Sequence, residues 1–342
     1  MSAAPARTLE IRTSPHVLSG HAVDTIMFNV VLALVPTVAF AVAAFGWMAL
    51  LTLSTALASC LATEALACRL AGSKSTLGDW SVVITGLLYG LTLPPGLPLW
   101  MVATGGVVGV GLGKSLFGGL GMNPFNPALV GRAFLQAAFP AAMTTWTPAF
   151  AEGRFHSVPG STLTAPFSVP VYDAVSAATP LALWKFDRQL ADVGEAALGF
   201  VGGSTGETCG LLILLGGAYL VARNMMNWRI PAALLGTAAL LSGALHAVDP
   251  LSFADPFFTL FSGGLLLGAM FMATDMVGSP MTALGCWIYG AAIGAITVTI
   301  RTWGGLPEGV MYAILLGNAL TPLIDGWIQP RVYGTPVREA EP

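Results

Sequence analysis

Residues 26–45 read IMFNVVLALVPTVAFAVAAF, an apolar run without one Asp, Glu, Lys or Arg. A hydrocarbon core about 30 Å thick takes roughly 20 helical residues, so a run of this length and composition reads as a transmembrane helix. Working outward, similar runs follow at 47–67, 80–93 and 97–112, then a fifth helix through Gly131, Arg132 and Phe134. After a polar interval they resume at 209–222, 231–247, 257–273, 282–300 and 310–327. The expected fold is all-α and polytopic, with about ten transmembrane helices. Composition agrees: of 342 residues 55% are hydrophobic and 9% charged, too apolar for a soluble domain of this size.

The chain divides into a polar cytoplasmic tail at 1–25, a first five-helix unit at 26–140, a loop at 141–207, a second five-helix unit at 208–328 and a cytoplasmic tail at 329–342. No apolar core precedes Ile26, so the expectation is that the first span is retained rather than cleaved as a signal. The formal charge of −3 points to no nucleic-acid partner. Cys60, Cys68, Cys209 and Cys286 show no Cys-x-x-Cys spacing and read as small core residues.

Short cytoplasmic connections retain positive residues. With the amino terminus inside, the inner segments hold Arg7, Arg12, Arg69, Lys74, Lys114, Arg223, Arg229, Arg331 and Arg338, with Arg301 as the exception. Five spans from that start place the 141–207 loop outside, on the periplasmic face of a bacterial inner membrane.

The halves share an ordered set of fragments. Gly86-Leu87-Leu88-Tyr89-Gly90 recurs as Gly264-Leu265-Leu266-Leu267-Gly268. Gly118-Gly119-Leu120 and Gly131-Arg132-Ala133-Phe134 recur as Gly304-Gly305-Leu306 and Gly317-Asn318-Ala319-Leu320. Two units of five spans would be inserted with opposite orientation, as inverted repeats whose broken helices line a site. Non-helical backbone is expected at Pro94 to Pro98 and Pro124 to Pro127, where it must be buried in protein or face a cavity.

Three groups of residues carry candidate chemistry. In the outer loop, Tyr172-Asp173-Ala174-Val175-Ser176-Ala177-Ala178-Thr179-Pro180 presents one hydroxyl, Thr179, among small residues, and Pro180 keeps it off helical geometry, extended and reachable. The plain alternative is a short helix over 175–178 capped by Asp173, with Thr179 a solvated loop residue. Asn123 and Asn126 each precede a proline and can offer amides to a planar ligand, or else bond the backbone of a tight turn. Glu64, Lys114, Arg132, Glu207, Asp275, Arg301 and Asp325 lie in or beside spans, where ionisable groups face a cavity, a partner or the interface. Asp275 is the candidate ion-pathway acid, with a structural pair as its alternative.

The order Asp173-x-x-Ser176-x-Ala178-Thr179 resembles the acceptor motif of flavin transferases, although Ala177 stands where that motif usually has glycine. Ser14-Pro15-His16, Ile26-Met27, Gly86 to Pro95, Phe117-Gly118-Gly119-Leu120-Gly121-Met122-Asn123-Pro124-Phe125-Asn126-Pro127-Ala128 and Ala269 to Ser279 resemble the D subunits of Rnf complexes and the related NqrB subunits. The former belong to ion-translocating ferredoxin:NAD oxidoreductases, the latter to sodium-pumping NADH:quinone reductases. The chain lacks the longer amino-terminal extension associated with NqrB, which favours the Rnf side.

The resemblance implies FMN esterified through its phosphate to Thr179 by a flavin transferase that recognises Asp173, Ser176 and Ala178. It also implies riboflavin near Asn123 and Asn126, electron exchange with the other Rnf subunits (A, B, C, E and G), and coupling to Na+ or H+ movement in a lipid bilayer. The chain would have no complete activity alone. A non-redox inverted-repeat channel or solute transporter is the alternative from another class, and a partner-anchoring scaffold a third.

Overall fold

The computed structural model describes residues 23–329 except 74, 157, 159, 167, 169–177, 190–191 and 208. Asp173 and Ser176, both tails, and the helix considered over 175–178 (except Ala178) therefore lie outside the described residues. The described chain is helical, with no β-strand.

The first half contains α1 (Val23–Phe45), α2 (Trp47–Leu70), α3 (Ser81–Leu91), α4 (Leu99–Gly113), α5 (Pro127–Ala138) and a short α6 (Pro140–Met143). The interval carries α7 (Pro180–Ala182), which continues as a π-turn over Leu183–Asp187, and α8 (Val193–Leu198). The second half contains α9 (Gly210–Ala222), α10 (Arg229–Val248), α11 (Pro256–Phe261), α12 (Leu265–Leu267) running into a π-turn at Gly268–Met272, α13 (Ala283–Trp303) and α14 (Val310–Trp327). Each of the ten apolar segments read from sequence contains helical backbone, continuous except in 257–273. Six are long and apolar enough to cross a membrane, and Ser81–Leu91 and Gly210–Ala222 are shorter apolar helices. The protein is a polytopic membrane protein.

Between apolar helices in lipid, close approach of small residues replaces the hydrophobic effect as the source of association. In the first half a side chain at Gly131 of α5 would come within 2.6 Å of the Gly105 carbonyl of α4. In the second, one at Gly290 of α13 would lie 2.6 Å from the Ile230 carbonyl of α10, and one at Gly294 would strike Leu234. Close glycine contacts thus hold helices together in both halves. Across them, Tyr219 of α9 donates its hydroxyl to Asn29 Oδ1 of α1 at 2.6 Å.

Two features differ from the sequence-based expectation. The segment 257–273 is not one span: Ser262, Gly263 and Gly264 interrupt it, and Gly263 adopts φ +69°, the left-handed region that glycine tolerates. Nor is 141–207 simply an exposed loop. Leu99 N–H donates to the Thr162 carbonyl at 3.1 Å, Thr205 N–H to Leu93 at 3.0 Å and Gly206 N–H to Leu91 at 2.7 Å. The Thr205 and Gly206 bonds satisfy carbonyls left free where α3 ends before Pro94, and the Thr162 carbonyl satisfies the Leu99 N–H where α4 begins, which is why non-helical backbone is tolerated in that buried turn.

Candidate functional site

Thr179 stands at the entrance to α7. Its φ of −70° and ψ of 152° are extended, as Pro180 requires, and its Oγ1 accepts from Ala182 N–H at 3.2 Å, making it the helix N-cap. It is only 8% exposed, where the sequence suggested a freely reachable hydroxyl; Ala178 beside it is exposed. One turn on, Lys185 Nζ donates to the carbonyls of Ile300 (3.4 Å), Arg301 (3.0 Å), Gly304 and Leu306 (2.8 Å). An ammonium has three protons for these acceptors, so the α7 segment is pinned to the end of α13 by shared bonds. Partial burial lowers the Lys185 pKa from its ordinary value.

Below Thr179 lies a cluster of four buried charges. Arg132 Nη2 of α5 donates to Glu308 Oε2 at 2.6 Å, and Glu308 Oε1 accepts from Gly264 N–H at 2.6 Å. Glu207 Oε1 lies 3.8 Å from the same Arg132 nitrogen and makes no hydrogen bond, although its side chain is 7% exposed. A side chain at Gly264 would come within 2.7 Å of Glu308 Oε1 and 2.9 Å of Glu207 Oε1, so the glycine leaves room for both carboxylates. Arg301 donates from Nη1 to the Thr259 carbonyl (2.6 Å) and from Nη2 to Ser262 (3.0 Å), closing the end of α11. That accounts for the base that broke the charge pattern along the chain: Arg301 is buried and serves backbone at the helix break. Burial, then the neighbouring Glu308 charge, push the Glu207 carboxyl above its ordinary pKa; Arg132, with Arg301, holds Glu308 below its own.

Two spaces flank this cluster. Thr179, Pro180, Gly203, Glu207 and Ser262 line a narrow cleft. Beyond Leu181 a cavity of about 350 Å³ opens among Trp184, Phe253, Phe258 and Trp303, with Lys185 and Arg188 at its wall.

Asn123, Asn126 and Asp275 meet elsewhere, around a cavity of about 100 Å³ with Lys114, Met270 and Phe271. The asparagines bond backbone, as the tight-turn alternative expected. Asn126 Oδ1 caps α5 by accepting from Ala128 N–H at 3.0 Å, and its Nδ2 donates to the Met272 carbonyl at 3.4 Å. Asn123 Nδ2 donates to the Phe125 carbonyl at 3.3 Å. Asp275 Oδ1 accepts from Val277 N–H at 3.2 Å. Lys114 Nζ bonds both Glu64 oxygens (2.7 and 2.8 Å) and Ser81 Oγ (2.7 Å).

Sequence reasoning brought Thr179, Arg132, Glu207 and Arg301 forward separately, without their proximity. It missed Glu308 and the Ser262-Gly263-Gly264 break; the paired glycines, repeated at Gly304-Gly305 before Glu308, were the available signal. Cys60, Cys209 and Cys286 are buried free thiols, as expected of small core residues.

Residues 10–334 match the NQR2, RnfD, RnfE family. The chain is 41% identical over 335 residues to the D subunit of the proton-translocating ferredoxin:NAD(+) oxidoreductase complex of Clostridium ljungdahlii, covering 95% of this chain and 96% of that one. It is 40% identical to the D subunit of the Na(+)-translocating ferredoxin:NAD(+) oxidoreductase complex of Acetobacterium woodii (95% of each). It is also 40% identical to the D subunit of the ion-translocating oxidoreductase complex of Halorhodospira halophila (95% of each). With a family match over nearly its whole length and relatives of this similarity, the chain belongs to the NQR2, RnfD, RnfE family.

Proposed function

We propose that this chain is the membrane flavoprotein subunit of an ion-translocating ferredoxin:NAD oxidoreductase complex, carrying FMN as a phosphate ester on Thr179. The complex role rests on relatives that share about 40% of their residues over almost all of both chains. The flavin reading rests on the placement of Thr179: an extended, proline-fixed hydroxyl on a cleft, two residues before Leu181 in the wall of a 350 Å³ aromatic cavity. That volume falls within the range of small-molecule pockets. Trp184 and Trp303 offer stacking faces, and Lys185 and Arg188 offer positive charge beside an anionic phosphate. A flavin bound there would supply one- and two-electron transfer; the protein's part is to fix its tether and exclude water. The 8% exposure of Thr179 requires the transferase to act on this segment before it is pinned down, or on a locally opened state.

The Asn123, Asn126 and Asp275 cavity offers amide and carboxylate groups opposite Met270 and Phe271, chemistry suited to the edge of a planar heterocycle. At about 100 Å³ it is smaller than a flavin pocket, so riboflavin there needs the space to widen. In this reading the two five-helix units are inverted repeats in the bacterial inner membrane and the Thr179 cleft opens to the periplasm. The other Rnf subunits (A, B, C, E and G) supply and accept electrons, and Na+ or H+ is moved.

In-gel fluorescence after denaturation tests this. A flavin band on the subunit, lost in Thr179→Ala with the protein still inserted, is the expected result; fluorescence surviving in the variant overturns the assignment.

A further inference from the structure

Glu207 is the carboxylate of the cluster that the geometry leaves without a short ion pair. Two carboxylates approach Arg132 Nη2, and Glu308 holds it at 2.6 Å while Glu207 stands off at 3.8 Å. Glu308 gains a second bond from Gly264 N–H, whereas Glu207 Oε1 has no hydrogen-bond partner despite being more than nine-tenths buried. A buried ionised carboxylate without bonded partners costs several kcal/mol and is relieved by binding a proton. The same side chain lines the cleft that holds Thr179.

The groups around it form a closed set. Arg132 faces it from α5, Glu308 from the loop before α14, Arg301 from α13 and Ser204 from its own loop; Tyr312 of α14 lies against Arg132. The break between α11 and α12 brings only Ser262 and glycines. With Glu207 ionised, two guanidiniums balance two carboxylates. An electron added to a group tethered at Thr179 and seated in the cavity walled by Leu181, Trp184 and Arg301 upsets that balance where solvent screens little, and the position open to compensation is the unbonded Oε1.

We propose that Glu207 is a redox-linked proton site: when the group on Thr179 gains an electron from a one-electron donor, water gives a proton to Glu207 Oε1 and its hydroxide passes to bulk solvent, and when a one-electron acceptor reoxidises the group the proton recombines with hydroxide as water. This rests on the flavin reading above. It gives the chain one titratable group that joins charge movement at the cleft to proton movement from the face on which the cleft opens.

The test is electrochemically induced infrared difference spectroscopy on the purified complex above pH 8, where a carboxyl that burial pushes up to about 8 is ionised before reduction, with intact mass recorded on the same sample. Reduction is expected to produce a protonated-carboxyl C=O band that is lost in Glu207→Gln. It should also be lost in Glu308→Gln, because Arg132 is then free to hold Glu207 ionised. In both variants the flavin potential should lose a pH dependence of up to one proton per electron. A flavin mass with the band unchanged in Glu207→Gln, or without any band in the wild type, overturns the proton site and leaves the flavin reading standing. Absence of the flavin mass overturns that reading and the inference with it.

Discussion

The molecule buries two groups of charges, and they are built differently. At Lys114 every ammonium proton has an acceptor: both oxygens of Glu64 and the Ser81 hydroxyl, with Thr76 donating to Glu64 from the far side. At Arg132 two carboxylates compete for one nitrogen, and the guanidinium Nε and Glu207 Oε1 are both left unbonded. A satisfied buried pair is a structural tie whose breaking strands a charge. An under-satisfied one lies close in energy to its protonated form, which is the property a site of charge transfer requires.

The comparison is broken or sharpened by removing one charge from each. Lys114→Met strands Glu64 in the interior and should destabilise the purified protein by about 3–5 kcal/mol, the usual cost of orphaning a buried charge. Thermal unfolding in detergent reads this, and Lys114→Met combined with Glu64→Gln should recover much of the loss. Glu207→Gln should cost less than about 1 kcal/mol, because the leftover carboxylate is removed and the Arg132–Glu308 bond remains. Equal losses in the two single variants would remove the distinction.

The pH response carries the same contrast. A carboxyl raised above its unfolded pKa contributes stability that is fully present below the unfolded value and lost as pH rises through the folded one. Wild-type protein should therefore lose stability as pH climbs past the ordinary carboxylate range, and Glu207→Gln should show a flatter profile over that interval. Smaller effects are expected at the tether. Lys185→Met removes the bonds to the end of α13 and should weaken the α7 segment by about 1.5–3 kcal/mol, seen as faster hydrogen exchange at residues 180–187 with little change elsewhere. Asn126→Ala deletes the α5 cap and should cost about 1 kcal/mol in the same unfolding assay.

How much was legible follows from what kind of signal each feature leaves. Charge-free runs such as 26–45 announce themselves, because the bilayer sets both their length and their composition. Pro94 and Pro124 likewise announced non-helical backbone. The break at Ser262 to Gly264 carries no proline and sits inside an apolar run, so hydropathy passed over it. The polar composition of 141–207 read as solvated loop, yet Thr162 and Thr205 are buried, partnering backbone at the start of α4 and beyond the end of α3. The extended conformation of Thr179 was legible from Pro180 after it. The cluster beneath it was not, since Arg132, Glu207 and the 301–308 segment lie far apart in the chain and only the fold brings them together.

The measurement that bears most directly on this account is the intact mass of the chain purified from its native complex, followed by fragmentation of the peptide containing Thr179. The account predicts an increment of FMN less one water, located on Thr179 and absent from Thr179→Ala. An unmodified peptide, or the increment on another residue, would contradict it.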